Sequence, residues 1–535
     1  MPRISRRVLF TGAGSAALGV AVAGPVAAQP AGRPVPPGPV DVTPGDPRYQ
    51  DLLLRRFNKR LVSQPEHIHI VGTTDHVVRV VDDAVAAGKR VVARSGGHSL
   101  DGVVDAPDTQ VVVDFTEMRA VRFDPDRDAF MVEPGATLAE VYRTLDYGWG
   151  VTLPGGVYPT VGAGGHIPGN GFGAQSRLYG GIADHLYAIE IVVVGADGRA
   201  RAVVATRERT DPNRGLWWAH TGAGGGNFGL VTRFWFRSPD ATSSDPTALL
   251  PKAPKSMLLG RVVVDWSTLT EADFVRLAAN WGTWVEQNSA PGAPGAALYG
   301  AFNATSRAKG SMFVIGQVDP TIPGAESVLD GYLAAVTAGL TARPVKIGPM
   351  PWLTNSTNAP DAAASQGVLG QARWKTKVAY LRKRFTDDQA RTIHAYLTRA
   401  DYQYAPANLA VTTSGGRINA VAPDATATPH RSSTMVASVN TVWDVPADDP
   451  KHLGWTRTFY RDLFAATGGV PVPDDRTDGL HVNWPDLDLL DPTWNGSGLS
   501  VQQLLHKENY PRLQSVKSIW DPRDVFRNAV SVRLP

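Results

Sequence analysis

Cysteine is absent from the 535-residue chain. Its absence excludes disulfide bonds, thiolate metal sites and cysteine nucleophiles, so the fold has to be stabilised by its packed core. Apolar residues make up 43% and charged residues 19% of the chain, as in ordinary globular proteins. A chain of this length is long enough to form two lobes.

An excess of either charge is also absent. The 53 basic and 50 acidic residues leave a net charge of +3, and no basic run follows the N-terminus. Nucleic-acid binders usually carry a concentrated basic patch. We therefore expect small-molecule partners rather than nucleic acid, and we expect no metal in the site.

Two common nucleotide-binding motifs are missing as well. The chain contains no Gly-x-x-x-x-Gly-Lys-Ser/Thr sequence, and none of its glycine-rich loops is a clean Gly-x-Gly-x-x-Gly that opens a helix. Neither a Walker A loop nor a Rossmann fingerprint is supported. Any nucleotide site has to be built in another way.

The N-terminus resembles a twin-arginine export signal. Arg6-Arg7 precede a small-residue apolar stretch, and Val26-Ala27-Ala28 fits a cleavage site. Glycines and Pro25 make the stretch too weakly hydrophobic to remain as a membrane anchor. The sequence predicts a signal peptide over residues 1–28, cleavage near Ala28, a secreted product and a flexible leader over residues 29–49.

Three glycine-rich loops follow within one lobe. They are Arg94–Ser99, the segment from Leu153 to Gly181 with its ten glycines, and Gly222–Gly229. Hydrophobic residues are interleaved with the glycines, which favours ordered loops around a ligand. Loops of this kind bind pyrophosphate through backbone amides. A nucleotide is therefore the expected ligand.

The hydrophobic periodicity predicts an α+β fold of two lobes. Residues 50–238 combine short strands and helices with the glycine loops, whereas residues 239–486 predict an antiparallel sheet with helices on one face. Examples in the second lobe are the helix 271–287 and the strand 311–318. The aromatic stretch within residues 487–535 is expected to pack back on the first lobe.

Taken together, these motifs resemble the berberine-bridge-enzyme-like branch of the vanillyl-alcohol-oxidase superfamily, whose members bind FAD in a PCMH-type domain. The matching segments are Val92–Ser99, Pro154–Ser176, Asp184–Gly198, Leu216–Thr232 and Asn509–Phe526. The resemblance implies a domain of that type for residues 50–238 and a substrate-binding domain for residues 239–486.

In this family the Arg-Ser-Gly-Gly-His segment supplies a histidine that bonds to the flavin, which implies covalent FAD on His98. Many relatives add a second tether from a cysteine, but Tyr158 stands at that position, so one tether is expected. The cofactor-binding residues predicted from the motifs are Arg94, Ser95, Gly96, Gly97, His98, Ser99, Gly155, Gly156, Tyr158, Val161, Gly162, Gly164, Gly165, His166, Gly171, Gly173, Asp184, Ile191, Asn227, Phe228, Asn509 and Tyr510.

The catalytic positions depart from the family pattern. Trp484 and Ser414 occupy the places of two tyrosines that the sugar-oxidising relatives carry, and an indole cannot act as a base. The predicted catalytic residues are His481, Trp484 and Tyr404, with Trp484 expected to stack on substrate or shield the flavin. Further candidates are Arg417, His430, Lys375 and Tyr380.

Several functions remain compatible with these residues. The leading hypothesis is a secreted FAD-dependent oxidase that acts on an aromatic or secondary-metabolite-like molecule and is reoxidised by O2. The alternatives are a flavin-dependent oxygenase, a carbohydrate or alcohol oxidase with an unusual base, and a catalytically silent flavin- or ligand-binding protein.

Overall fold

The computed structural model describes residues 38–357 and 371–535. The predicted signal peptide and residues 29–37 of the predicted leader lie outside these residues. No helix in the described part of the chain combines the length and the apolar character needed to cross a membrane.

Sixteen strands are described in chain order. They are β1 (Val40–Val42), β2 (His67–Ile70), β3 (Val91–Arg94), β4 (Val111–Asp114), β5 (Val121–Asp124), β6 (Ala129–Val132), β7 (Leu186–Val194), β8 (Ala200–Thr206), β9 (Leu230–Phe236), β10 (Ser256–Asp265), β11 (Tyr299–Thr305), β12 (Ser311–Val318), β13 (Pro344–Pro351), β14 (Arg373–Leu381), β15 (Asn408–Thr413) and β16 (Met435–Trp443).

The described α-helices are numbered in the same way. They are α1 (Tyr49–Leu54), α2 (Thr74–Ala86), α3 (Leu138–Trp149), α4 (Ala163–His166), α5 (Ser176–Tyr179), α6 (Arg214–Ala219), α7 (Glu271–Gln287), α8 (Ala325–Thr337), α9 (Trp352–Thr357), α10 (Asp387–Thr398), α11 (Asp449–Leu463), α12 (Val501–His506) and α13 (Tyr510–Trp520).

The strands form three sheets. The first has the order β1-β2-β4-β3, with β1 antiparallel to β2 and the remaining pairs parallel. The second, β5-β6-β9-β7-β8, and the third, β13-β10-β12-β11-β15-β16-β14, are antiparallel throughout. The predicted α+β class is confirmed.

The seven-stranded sheet buries only one of its faces against helices. Helices α7, α8, α10 and α11 cover that face and share its largest hydrophobic core, which includes Phe274, Tyr332 and Phe459. Side chains alternate between the two faces of a strand, so every second residue of this sheet points away from the helices. That second face is therefore available to line a cavity.

Local sequence signals explain several of these elements. The predicted helix 271–287 and strand 311–318 are found with the same bounds. Thr137 caps α3 in a capping box with Glu140, which satisfies two backbone amides at the helix start. The prediction of a flexible leader is wrong for residues 40–42, because Val42 is fully buried and the segment pairs with β2 as β1.

The C-terminal segment contacts the first lobe through buried polar groups. Lys517 Nζ donates to the carbonyl oxygen of Asn227 at 2.7 Å, and Asn227 Oδ1 accepts from the amide of Val532 at 2.9 Å. Phe526 packs in the core that α2 and β4 also share. The predicted domain boundaries at residues 238 and 486 stay predictions.

Candidate flavin and substrate site

A cavity of about 950 Å³ lies between the glycine-rich loops and the open face of the seven-stranded sheet. Its size is in the range of ligand and cofactor pockets. The loops form one side, which we call the glycine wall and define by its lining residues Ser95–Ser99, Gly155–Gly165 and Ala223–Asn227. The opposite side, the sheet floor, consists of lining residues from β10, β11, β12, β14, β15 and β16.

The glycine wall is close-packed because its loops touch backbone to backbone. A Cβ at Gly162 would lie 2.0 Å from Ser95 Oγ and 2.3 Å from the Gly96 amide nitrogen. Ser95 Oγ donates to the carbonyl of Pro134 at 2.5 Å, and the Gly164 amide donates to the same oxygen at 2.9 Å. Any larger residue at position 162 would therefore separate the first two loops.

The wall also leaves open space on its cavity side. A Cβ at Gly165 would meet no atom within 4 Å. Two polar atoms of cavity-lining residues, Trp374 Nε1 and Gln175 Oε1, are buried without a hydrogen-bond partner among the described residues. Buried polar atoms usually have partners, so these atoms point to a missing polar ligand. Free backbone, space and unpaired polar groups together fit FAD.

His98 is held in a defined orientation on this wall. Its ring stacks on Phe57 with centroids 4.6 Å apart, and its Nε2 lies 3.0 Å from Thr160 Oγ1. Gly97 adopts a φ of +73°, and a Cβ there would lie 2.4 Å from the carbonyl oxygen of Arg55, so only glycine fits this turn. Burial lowers the pKa of His98 to about 4, which keeps the imidazole neutral and nucleophilic.

His166 supports the same wall from inside. Its Nε2 accepts a hydrogen bond from the amide of Gly156 at 2.9 Å, and its ring fills the space beside Gly171. Burial, with a smaller contribution from His98, lowers the pKa of His166 to about 4. His166 therefore holds the Gly155-Gly156 turn as a neutral hydrogen-bond acceptor.

Most of the predicted cofactor-binding residues line the cavity. They are Arg94, Ser95, Gly96, Gly97, His98, Ser99, Gly155, Gly156, Tyr158, Val161, Gly162, Gly164, Gly165, His166, Gly171 and Asn227. Arg94 does so only in part, because its guanidinium is paired with Asp114 at 2.7 Å.

Six predicted cofactor-binding residues lie away from the lining. Ile191 and Phe228 are fully buried in the core between β-sheet and helices. Gly173, Asp184, Asn509 and Tyr510 also lie outside the cavity lining. At these positions the structure shows contacts that support the fold.

Their contacts give the physical reason. Asp184 pairs with Arg431 at 2.6 Å, and Asn509 Nδ2 donates to the carbonyl of Pro423 at 2.8 Å. Gly173 packs against the backbone of Gly155, and Tyr510 stacks on His506. The side chains of Asp184 and Asn509 thus find partners within the protein, and the predicted contacts of these six residues with the cofactor stay predictions.

The predicted catalytic residues differ in their position relative to the cavity. Trp484 lines the cavity. His481 lies behind it, with its ring edge-on to Trp484 at 4.6 Å and stacked on Tyr380 at 5.3 Å. Burial, reinforced by His430 and His166, holds the pKa of His481 well below its usual range. His481 is therefore a neutral group shielded from the cavity by Trp484.

Tyr404 lies outside the cavity lining, and its catalytic role stays a prediction. Its hydroxyl donates to the carbonyl of Val442 at 2.8 Å, and its ring packs on His452. Among the further candidates, Tyr380 stacks between His430 and His481. Lys375 is buried in an ion cluster behind the floor. None of these candidates lines the cavity, and the same is true of Arg417.

The ion cluster joins the two sides of the cavity from behind. Lys375 Nζ lies 2.8 Å from both Asp101 and Asp486 and 2.9 Å from Asp488. Burial alone lowers the pKa of Lys375, but the three carboxylates outweigh burial and raise it. Asp101 follows the His98 loop and Asp486 follows Trp484, so the cluster fixes both segments to β14.

The sheet floor was missed by sequence reasoning. Its polar lining residues include Asn303, Gln317, Thr376, Asn408, Thr412, Ser438 and Asn440. The strand register places them side by side, with Asn440 opposite both Asn408 and Thr376. None of the floor residues that line the cavity is charged in the described chain. Alternating strands with a neutral polar face, instead of a charged one, were the available signal.

Comparison with known proteins places this arrangement in a family. Residues 65–203 match the FAD binding domain family, and residues 481–533 match the family described as berberine and berberine like. The chain is 50% identical to an aclacinomycin-N/aclacinomycin-A oxidase of Streptomyces galilaeus, over 92% of this chain and 89% of that protein. It is 28% identical to a hexose oxidase of Chondrus crispus, over 92% and 95%.

Comparison with solved structures supports the same family. The crystal structure of an aclacinomycin oxidoreductase superposes with a TM-score of 0.89 at 49% identity, covering 93% of this chain and all of that one. A glycopeptide hexose oxidase complexed with teicoplanin superposes with a TM-score of 0.88 at 43% identity, covering 93% and 99%. With the glycine wall, these similarities show that the chain belongs to the berberine-bridge-enzyme-like family of FAD-linked oxidases.

Proposed function

We propose that this oxidase carries FAD covalently on His98 alone and oxidises a hydroxylated ring of a secondary metabolite, with O2 as the electron acceptor. The observation that carries the proposal is the pairing of the glycine wall, which bears a neutral His98, with a polar but uncharged floor. When bound, FAD accepts a hydride from the substrate and passes its electrons to O2.

The residues of the glycine wall support the cofactor half of the proposal. Backbone amides of Ser95–Ser99 and of Gly165 would hold the pyrophosphate without a cationic side chain. Phe57 and Thr160 fix the plane and one nitrogen of the His98 ring. Because Tyr158 cannot form a thioether, His98 is left as the single tether.

The floor supports the substrate half. Amide and hydroxyl groups donate and accept hydrogen bonds equally well, which suits a substrate with several hydroxyl groups and no charge. Relatives named for hexose and for aclacinomycin oxidation favour a sugar-like or secondary-metabolite ring. Trp484 adds an apolar face on which such a ring can stack.

Proton removal has no obvious strong base in the cavity. Burial raises the pKa of Tyr142 and Tyr299, two of the three tyrosines that line the cavity, above the usual tyrosine range. The Tyr142 hydroxyl is already donated to the carbonyl of Gly156 at 2.6 Å. A substrate with an activated C–H bond, which needs little help from a base, is therefore favoured over an unactivated alcohol.

We also propose that the protein is exported with its flavin attached. The Arg6-Arg7 segment and the Ala27-Ala28 cleavage site support this part. A covalent tether would prevent cofactor loss outside the cell. N-terminal sequencing of protein from the culture medium should begin at Gln29, and protein retained in the cytoplasm with an intact N-terminus would contradict export.

The decisive experiment uses the purified holoenzyme. After acid precipitation the pellet should stay yellow, and peptide mapping should find the flavin mass on the His98 peptide; the His98→Ala pellet should be colourless. Under anaerobic conditions, candidate glycosides and polyketides should bleach the flavin, and air should restore the colour with one H2O2 per turnover. Incorporation of labelled oxygen into product would instead indicate an oxygenase.

The floor assignment has its own control pair. Asn440→Leu should raise KM for a bleaching substrate more than it lowers kcat, because it removes a floor amide without touching the glycine wall. Asn419→Leu removes an amide whose Nδ2 donates to the Ser433 carbonyl at 3.0 Å away from the cavity, and KM should stay unchanged. Equal effects of the two substitutions on KM would contradict a substrate-binding floor.

A further inference from the structure

A second cluster of ligand-type side chains lies on the first sheet, outside the cavity. Asp41 on β1 faces His69 on β2 in the antiparallel register, and His67 lies two residues before His69. Side chains two residues apart share one face of a strand, so the three groups project from the same side. Ile68, the residue between the histidines, is fully buried on the opposite face.

The atoms are spaced as ligands of one ion would be. His67 Nδ1 lies 3.0 Å from Asp41 Oδ2, and His69 Nδ1 lies 3.7 Å from Asp41 Oδ1. One ligand atom from each residue lies within 4.8 Å of the others. Two ligand atoms at zinc distances and a tetrahedral angle would lie about 3.4 Å apart. The backbone pairing thus presents a nearly preformed site.

One ring nitrogen in this cluster lacks a partner. His69 Nδ1 is buried and has no hydrogen bond in the described chain. An unpaired buried nitrogen is costly unless a ligand or water completes it. The atom lies on the Asp41 side of the ring, where an ion between the two side chains would contact it.

We propose that Asp41, His67 and His69 form a binding site for a zinc-class divalent cation, with water as the fourth ligand. Two neutral imidazoles and one carboxylate suit borderline metals such as Zn²⁺ and Cu²⁺ better than Ca²⁺ or Mg²⁺. None of the three residues lines the cavity. The ion would therefore link β1 to β2 rather than take part in the oxidation.

Lys89 contacts His67 and affects the metal affinity of the site. Its Nζ lies 3.1 Å from His67 Nε2 and 2.9 Å from Glu66 Oε2. In this arrangement Nε2 accepts, so the proton of a neutral His67 is on Nδ1 and is donated to Asp41. Metal binding needs Nδ1 free and the proton on Nε2, and Lys89 then has to turn towards Glu66. Lys89 is thus expected to weaken the metal site.

The test is a calorimetric titration of chelator-treated holoenzyme with Zn²⁺ alone. Wild type should bind one ion per chain, and its thermal unfolding midpoint should rise with Zn²⁺. Asp41→Asn and His69→Ala should each abolish this site, whereas Lys89→Gln should bind several-fold more tightly. Glu271→Gln removes a carboxylate that pairs with His394 and Arg391 outside this cluster and should change nothing.

A spectroscopic measurement makes the ligand assignment independent of affinity. Cu²⁺ on the wild-type holoenzyme should give an electron paramagnetic resonance spectrum with coupling to two imidazole nitrogens, and His69→Ala should reduce it to one. Absence of saturable Zn²⁺ binding, binding unaffected by Asp41→Asn, or weaker binding in Lys89→Gln would each overturn the proposal. Flavin content and oxidase turnover should be the same in all these variants.

Discussion

Lys375 and Asp486 form a buried ion pair of 2.8 Å directly behind the substrate floor. The side chains of both residues are 2% exposed. Through Asp101 the same ammonium reaches the loop that carries His98, and through Asp486 it reaches the segment that carries Trp484. One buried cation therefore sets the relation between the predicted flavin tether and the tryptophan across the cavity.

Removing this cation should be strongly destabilising. Lys375→Met removes the one cation in the described chain that contacts Asp101, Asp486 and Asp488 together, and leaves Lys377 on the last two. Breaking a buried ion pair typically costs about 3–5 kcal/mol of unfolding free energy. Urea unfolding followed by tryptophan fluorescence measures the loss. Lys346→Met removes an exposed pair with Asp330 and should leave the midpoint where it is. Equal midpoints for the two variants would contradict a structural role for the cluster.

Glycine substitutions should separate the role of the glycine wall in folding from its role in binding flavin. Gly162→Ala should give little soluble protein, because its Cβ overlaps Ser95 and Gly96. Gly165→Ala should fold normally but hold less flavin, because its Cβ enters the open side of the cavity. The ratio of absorbance near the flavin and protein maxima reports occupancy. Gly148→Ala, whose Cβ meets nothing within 4 Å on α3, is the control.

Acid should destabilise the protein through its buried histidines. Burial lowers the pKa of His220 and of His506 to about 4, so both are neutral when folded. Because the unfolded state binds their protons near pH 6.5, this stability is present above pH 6.5 and is lost as pH falls towards 4. Each such histidine lowers the free energy of unfolding by roughly 3 kcal/mol when the pH falls from above 6.5 to below 4.

His506→Leu isolates one of these contributions. The urea midpoint measured from pH 7 to pH 4.5 should fall less steeply for this variant than for wild type. An unchanged pH dependence would show that His506 takes up its proton in the folded state. Activity is not expected to change, since the residue lies outside the cavity lining.

Tyr158→Cys should create a second flavin attachment. Tyr158 lines the cavity at the position where many relatives carry a cysteine tether, and the chain has no other cysteine. Peptide mapping should find flavin linked to residues 98 and 158, and His98→Ala/Tyr158→Cys should retain some covalent flavin. A free thiol at position 158 in flavin-replete protein would contradict placement of the ring beside this loop.

Sequence reasoning found the glycine wall but not the floor. The density of glycines in short loops is readable from sequence, although the contacts that require Gly97 and Gly162 are made with Arg55 and with Ser95. Asn440 lies beside Asn408 only because β15 and β16 pair in one register. Alternating polar residues on a strand predict an exposed face, so the enclosure of this face by the glycine wall could not be foreseen.

The predicted site residues that lie outside the cavity lining show the same limit of sequence motifs. Asn509 and Asp184 belong to recognisable motifs, but their side chains hold other segments together, through the carbonyl of Pro423 and through Arg431. A motif marks residues that matter without separating ligand contacts from supporting contacts. That distinction depends on where a side chain finds its partner, which only the tertiary structure decides.

Strand β14 presents Trp374, Thr376 and Val378 to the cavity and Lys375 and Lys377 to the ion cluster. A one-residue insertion or deletion in this strand would exchange the two rows and turn two ammonium groups towards the substrate. Its length is therefore constrained, while single replacements in the cavity row leave the charged row untouched. New substrate preferences should arise in this chain by side-chain exchange along the strand and not by changes in its length.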